Sequence, residues 1–347
     1  MQRYSIPRIL LLIPICCFFL SEGCHPSRRS IPDVSHIPVN LRIQRFDLDL
    51  FNLDTNHLEQ GLQNLDQKYP VFLSTFLDNI MNYGSYSKSN AFQETELKAF
   101  LKSPDILGLE STVKSQFPNI QNLKNQLTSG FQYLKFYYPK YSVPDCVTFI
   151  SGLNNFGAVT VDSILGIGLD MFLGRDYPNY TKVADPYPEY MIRQFAPEYI
   201  PADCFKVIEQ QMYPSMDSGK PLLDQMVNRG KQLYFLDLVL PLAPDSVKIG
   251  YSLQQLNWCK ANEQFIWQYF IQNNLLYVHD MQQIMHFIGE GPDTRGMPAD
   301  APGNIGSWVG WQIVRHYMQQ HPDVSIQQLM EEKDGQKILD GSGYRPR

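Results

Sequence analysis

Asp170, Asp237 and Glu263 are the side chains of this sequence best placed to do chemistry, since each carboxylate sits beside an apolar or glycine-rich run. Two carboxylates in unlike surroundings can divide the roles of general acid and general base, and a hydrolytic pair of that kind needs no short sequence signature. Asp237 is the sharpest of the three. It stands among Leu233, Phe235, Leu236, Leu238, Val239 and Leu240, with Lys231 and Tyr234 near it in sequence. A charge there costs several kcal/mol if buried alone, so it must reach solvent, a cation such as Arg315, or a ligand. A structural ion pair is the commoner outcome for such a residue. Asp162 and Asp176 flank the segment that carries Asp170, and Glu263 precedes Phe265-Ile266-Trp267.

Trp308, Trp311 and Arg315 form a second candidate, a binding face on a helix that follows Asn304. Trp311 and Arg315 are one turn apart, and an aromatic ring beside a cation can stack a sugar or hold a carboxylate. Core packing with one snorkelling cation is the competing reading. Gly306 and Gly310 in the same segment would let another helix approach closely.

Several familiar chemistries find no anchor. Gly166-Ile167-Gly168 lacks the third glycine of a dinucleotide loop, because Met171 takes that place and Gly174 falls too late. There is no Walker A sequence, and Ser252 has Gly250 before it but Gln254 where a nucleophile elbow needs glycine. The seven histidines, His25, His36, His57, His279, His286, His316 and His321, contain no His-Glu-x-x-His. His279 and His286 could share one helical face and meet His316, but nothing in that spacing selects tetrahedral zinc, and no metal or other cofactor is expected. Behind Cys16, Cys17 and Cys24 come Cys146, Cys204 and Cys259, which allow at most one disulfide and read as buried thiols. A net charge of −6 with no basic cluster argues against nucleic acid.

The elements that must position these residues alternate in character along the chain. Arg42 to Phe51 alternates apolar and polar side chains, predicting a strand that leads to Asp54 as a helix N-cap. Leu58, Leu62 and Leu65 mark a helix that stops before Pro70, and Ile120 to Leu134 carries another apolar stripe. Cys146 to Ile150 and Ile164 to Phe172 read as strands of a small sheet. Helices follow at 201–212, 222–238, 253–273, 279–287, 305–318 and 325–332, and the Gly- and Pro-rich stretch 289–303 is a loop. The expected architecture is α+β, a small β-sheet with a predominantly helical C-terminal part.

Location is written at the other end. Arg3 and Arg8, an apolar core from Ile9 to Leu20, and Gly23-Cys24 match a bacterial lipoprotein export signal, although Glu22 is unusual so near the cut. The apolar run is about a dozen residues against the roughly 20 that span a bilayer, so cleavage is favoured over a retained helix. The predicted organisation is a signal peptide over 1–23, lipidation at Cys24, a flexible tether over 24–40 with Pro26, Pro32 and Pro38, and a single domain over 41–347.

Within that domain, Ile43 to Leu50 (IQRFDLDL), Phe149 to Leu153 (FISGL), Leu165 to Gly174 (LGIGLDMFLG), Gly230 to Pro241 (GKQLYFLDLVLP), Lys248 to Tyr251 (KIGY), Trp258 to Phe270 (WCKANEQFIWQYF) and Asn304 to Tyr317 (NIGSWVGWQIVRHY) occur in this order. Together, behind an export signal, they resemble the gliding-motility lipoprotein B (GldB) family of Bacteroidetes over nearly the whole mature chain. The resemblance implies an envelope lipoprotein of the gliding apparatus, associated in that phylum with type IX secretion. It would be membrane-held through its lipid, face the periplasm and contact envelope protein partners of that machinery. The layout is also similar to predicted zinc-dependent proteases; on that kinship this would be a degenerate zincin-like scaffold, lacking the metal-binding motif. Two roles follow: a noncatalytic component that binds a protein partner or envelope polymer, and, as the alternative, an envelope hydrolase with a carboxylate-based or degenerate protease-like site.

Overall fold

The alternating stretch after Arg42 supplies only the start of the strand its pattern suggests. A computed structural model describes residues 31–184 and 186–347, so Cys24 and the export signal lie outside the described residues. Strand β1 (Ile43–Arg45) turns at once into helix α1 (Phe46–Phe51). Phe46 and Leu50, four apart and therefore on one helical face, are both fully buried. Asp47 between them is buried too, and its carboxylate accepts from Arg45 Nε at 3.0 Å and from the Thr148 hydroxyl at 2.6 Å. These partners satisfy the buried charge.

The other elements follow in chain order. Helices α2 (Leu58–Lys68), α3 (Phe72–Thr75), α4 (Ala91–Lys102), α5 (Pro104–Gln116) and α6 (Gln121–Tyr137) precede the rest of the sheet. The N-cap of α2 is His57 and not Asp54; the Asp54 carboxylate instead accepts from Asn56 N and meets His57 Nδ1. Strands β2 (Asp145–Phe149), β3 (Ala158–Val161) and β4 (Ile164–Gly168) complete a sheet of order β1-β2-β4-β3. β1, β2 and β4 run parallel, and β3 is antiparallel to β4. Register sets the two faces: Cys146 pairs with Leu165, and Val147 with Gly166. Val147 and Phe149 join an aromatic core with Phe46, Phe72 and Phe76, while Cys146, Leu165 and Ile167 join the larger core beneath the C-terminal helices. A Cβ on Gly168 would lie 2.0 Å from the Phe156 carbonyl oxygen, which explains why that strand ends in glycine. The apolar stretch after it becomes a 3₁₀ turn, Leu169–Phe172.

Beyond the sheet come α7 (Glu189–Ile192), α8 (Ile200–Met212), α9 (Leu222–Val239), α10 (Asp245–Ile249), α11 (Leu253–Ala261), α12 (Glu263–Gln272), α13 (Met281–Ile288), α14 (Ile305–Gln320), α15 (Ile326–Glu331) and α16 (Gly335–Ser342). The helix expected over 253–273 is two, broken at Asn262, whose side-chain amide donates to the Trp258 carbonyl at 2.8 Å and competes with the helical ladder. Helices α9 and α14 form the central pair. A Cβ on Gly310 would fall 1.8 Å from the Met226 carbonyl oxygen, and one on Gly230 would fall 2.3 Å from the Gly310 backbone, so the two helices touch backbone to backbone. The architecture is α+β, a four-stranded mixed sheet with a helical body. Asp33–Arg347 forms one compact unit. Within the stretch anticipated as tether, Val34 is buried and the Ile37 carbonyl accepts from Gln132 Nε2 at 3.0 Å.

Candidate functional site

The three candidate carboxylates are held by three separate sets of partners. Asp170 is fully buried, and its Oδ2 accepts from Ser151 N at 3.0 Å, Ser151 Oγ at 3.1 Å and Leu153 N at 2.8 Å. Burial pushes this carboxyl above its usual range, opposed by those hydrogen bonds. It fixes a loop in which Gly152, Leu153 and Asn155 all take positive φ. Glu263, at the start of α12, accepts from the Tyr344 hydroxyl at 2.9 Å and ties that helix to the C-terminal residues.

Asp237 closes a four-charge network at the end of α9. Its Oδ1 accepts from Lys248 Nζ and Arg315 Nη2, both at 2.8 Å. Its Oδ2 accepts from Arg315 Nε at 2.7 Å and from the Trp311 indole at 2.9 Å. Arg315 bonds in turn to both oxygens of Asp245, at 2.9 and 3.0 Å, and its guanidinium lies 3.7 Å from the centre of a Trp311 ring. Two carboxylates thus meet two cations. Burial pushes the Asp245 carboxyl up, but Arg315 and Lys248 bring it net below its ordinary value. Burial would lower the Arg315 guanidinium, yet its bonds to Asp237 and Asp245 raise it. Lys231, six residues before Asp237 on the same helix, is not part of this network: its ammonium donates to the Glu332 carbonyl oxygen. Trp308 and Trp311 are wholly inside the core, so a sugar stacking on them would have to part α9 from α14; Arg315, with its side chain 28% exposed, keeps some contact with solvent. Asp237, Lys248, Trp311 and Arg315 come from three of the segments quoted above, GKQLYFLDLVLP, KIGY and NIGSWVGWQIVRHY. Those segments meet in space to clamp α9, α10 and α14.

A different part of α9 borders open space. A cavity of about 540 Å³ is lined by α8, α9, the segment between them and the residues around the end of α15. Glu209 on α8 is only 6% exposed, and its carboxylate accepts from Gln232 Nε2 at 2.8 Å. Burial pushes that carboxyl up to about 7, opposed by the Gln232 hydrogen bond and by the charges of Arg229 and Lys231. Lys231 is 4% exposed, and burial brings its ammonium down to about 8. Arg229 enters no ion pair among the described residues, and its buried Nε has no acceptor there. Buried titratable groups lining a cavity make it a candidate ligand site.

Sequence reasoning passed over Glu209 and Arg229. The available signal was Lys231, which falls on the buried stripe of α9 with Val227 and Tyr234 and therefore had to be accommodated by something outside its own helix. Cys146, Cys204 and Cys259 are all buried free thiols. Among the described residues, no group of three or more His, Cys, Asp or Glu side chains could hold a metal ion, and no helix is long and apolar enough to cross a membrane.

The fold and these sites define a largely helical α+β protein in which three of the quoted segments build one structural clamp. The sequence model of the family described as gliding motility protein GldB matches residues 27–346, and the chain belongs to that family. No curated protein and no solved structure matches it. Family membership associates the chain with gliding motility.

Proposed function

We propose that this is a noncatalytic cell-envelope lipoprotein of the gliding-motility and type IX secretion apparatus. It is lipidated at Cys24, held on a membrane facing the periplasm, and acts by binding a protein partner or an envelope polymer. One observation carries the noncatalytic part of this reading. Asp170, Asp237 and Glu263, the carboxylates named for the hydrolase alternative, are each engaged by a structural partner set of their own: a loop, a charge clamp and a C-terminal tyrosine. A general acid and base must reach the same bond, and residues bound up separately cannot act as a pair. The anchor follows from the export signal; acyl chains contribute about 0.8 kcal/mol per buried methylene, so a triacylated Cys24 would be held essentially permanently.

Two experiments test the proposal. Cys24→Ala should move the protein from the membrane to the soluble fraction, and unchanged fractionation would overturn the anchor. Gentle detergent extraction of the intact protein should recover a stoichiometric envelope protein or polymer. Hydrolysis of peptide or glycan substrates by the same preparation, abolished in Asp237→Asn with folding and partner binding intact, would overturn the noncatalytic role.

A further inference from the structure

We infer that the cavity between α8 and α9 binds a carboxylate-bearing ligand with an apolar body, its carboxylate seated on the Arg229 guanidinium. The inference goes beyond the envelope role and does not depend on the lipid anchor or on the identity of any envelope partner. It starts from the cavity cation that has a buried donor without an acceptor among the described residues. Lys231 donates to the Glu332 carbonyl oxygen, and Lys220 lies 3.6 Å from Asp224. Arg229 has neither an ion pair nor an acceptor for its buried Nε among the described residues. A guanidinium presents a planar fork of donors that matches a carboxylate bidentately, and leaving a buried donor unmet is costly.

The surroundings narrow the ligand. Lys220, Arg229, Lys231 and Lys333 on the cavity wall are matched by four carboxyl side chains, Glu209, Asp217, Glu331 and Glu332. A phosphate with two charges would meet as much repulsion as attraction there, whereas a single carboxylate can be met by the fork of Arg229, whose buried Nε is unpartnered among the described residues. Part of the wall is apolar: Met212 and Met330 pack partly against the core, Met216 is 78% exposed, and Pro214 lies between Met212 and Met216 in the chain. Unbranched thioether side chains adapt to varied apolar shapes and are favoured on binding surfaces for that reason. The amides of Gln210, Asn228 and Gln232 also line it and can orient the polar backbone of a bound group. The volume, about 540 Å³, is that of a site for a small molecule or the last few residues of a peptide.

The test uses the intact lipidated protein, extracted in a neutral detergent and labelled with ¹³C at its methionine methyl groups. Three probes are titrated: N-acetyl-Ala-Ala-Phe with a free C-terminus, the same peptide as its amide, and 3-phenylpropanoate. The free peptide acid should shift the methyl signals of Met212, Met216 and Met330, leave those of Met81 and Met318 in place, and bind at least tenfold more tightly than the amide. Arg229→Gln should reduce acid binding to the level of the amide, with the Met81 and Met318 signals reporting that the fold is kept. Arg229→Lys, which retains charge without the fork, should give an intermediate affinity and keeps the test open if the glutamine variant does not fold. Tighter binding of the peptide than of 3-phenylpropanoate assigns the site to a chain terminus, and the reverse assigns it to a free organic acid; either outcome supports the carboxylate assignment. Equal binding of acid and amide, acid binding unchanged in both Arg229 variants, or no response from the three cavity methionines would overturn it.

Discussion

Helix α9 carries buried charge near both its middle and its end, and the two places have opposite characters. At Asp237 every strong donor and acceptor has a partner: the carboxylate takes four hydrogen bonds, and Arg315 divides its fork between Asp237 and Asp245. Around Lys231 the bonding is incomplete: the ammonium finds one carbonyl, Glu209 finds one amide, and Arg229 finds no ion pair among the described residues. Burial of a charge is therefore a poor guide to function on its own. The useful distinction is whether the neighbours leave that charge any capacity to bind something else. A closed set of charges holds helices together, and removing one member strands the others in a poorly solvated place. An open set beside a cavity can accept a ligand.

The contrast predicts a ranking of mutational effects. Arg315→Ala should cost the most, about 3–4 kcal/mol of stability, since Asp237 would keep Lys248 and Trp311 but Asp245 would lose both its arginine bonds. Urea unfolding measures this, and a loss below about 1 kcal/mol would mean the clamp is ornamental. Arg315→Lys should restore only part of the loss, because an ammonium cannot bridge two carboxylates with a planar fork. Gly310→Ala comes next at about 3 kcal/mol, as its methyl meets the Met226 carbonyl and must push α14 from α9. A wild-type melting curve for that variant would break the proposed backbone contact.

Titration sharpens the open side. The Glu209 carboxyl rises from 4.5 to about 7 on folding, so the folded protein holds this proton more tightly than the unfolded chain. The stability associated with neutral Glu209 is complete below about pH 4.5 and is lost as pH climbs through about 7. At about 1.4 kcal/mol per pKa unit this amounts to about 3–4 kcal/mol. Gln232, Arg229 and Lys231 are the groups that oppose the shift, and Glu209→Gln should flatten stability between pH 4.5 and 7 without altering them. A variant whose denaturation midpoint still falls across that range as steeply as wild type would show that other groups carry the dependence. The smallest effect should be Arg229→Gln, within about 1 kcal/mol of wild type, because it removes no ion pair. Destabilisation equal to that of Arg315→Ala would erase the distinction between the two sites.

Periodicity made much of this fold readable. Helix α6 and helix α9 follow apolar stripes whose limits fall within a few residues of those expected, and β2 coincides with the β-branched run at Cys146–Ile150. Helices α4 and α5 were harder to read, because Phe92 and Leu107 face solvent and interrupt any clean stripe. At Phe46–Leu50 an alternating pattern concealed a helix, since two buried residues four apart satisfy both readings. The need of Asp237 for a cation was likewise visible from its apolar neighbours, and Arg315 supplies it. Lys248 and Asp245 were not foreseeable as its companions, and neither were Glu209 and Arg229 as cavity residues.

What the sequence determined by itself was the type of the strongly periodic segments, the α+β class, the family, and the rule that a carboxylate among leucines must find a counterion. Those properties depend on neighbours within a few residues, where spacing translates directly into a shared face. Only the tertiary structure decided which buried charges were fully paired and which were left beside open space. Hydrogen-bond satisfaction depends on side chains brought together from positions as distant as Asp237 and Arg315, or Lys231 and Glu332, and on ångström-scale distances between them.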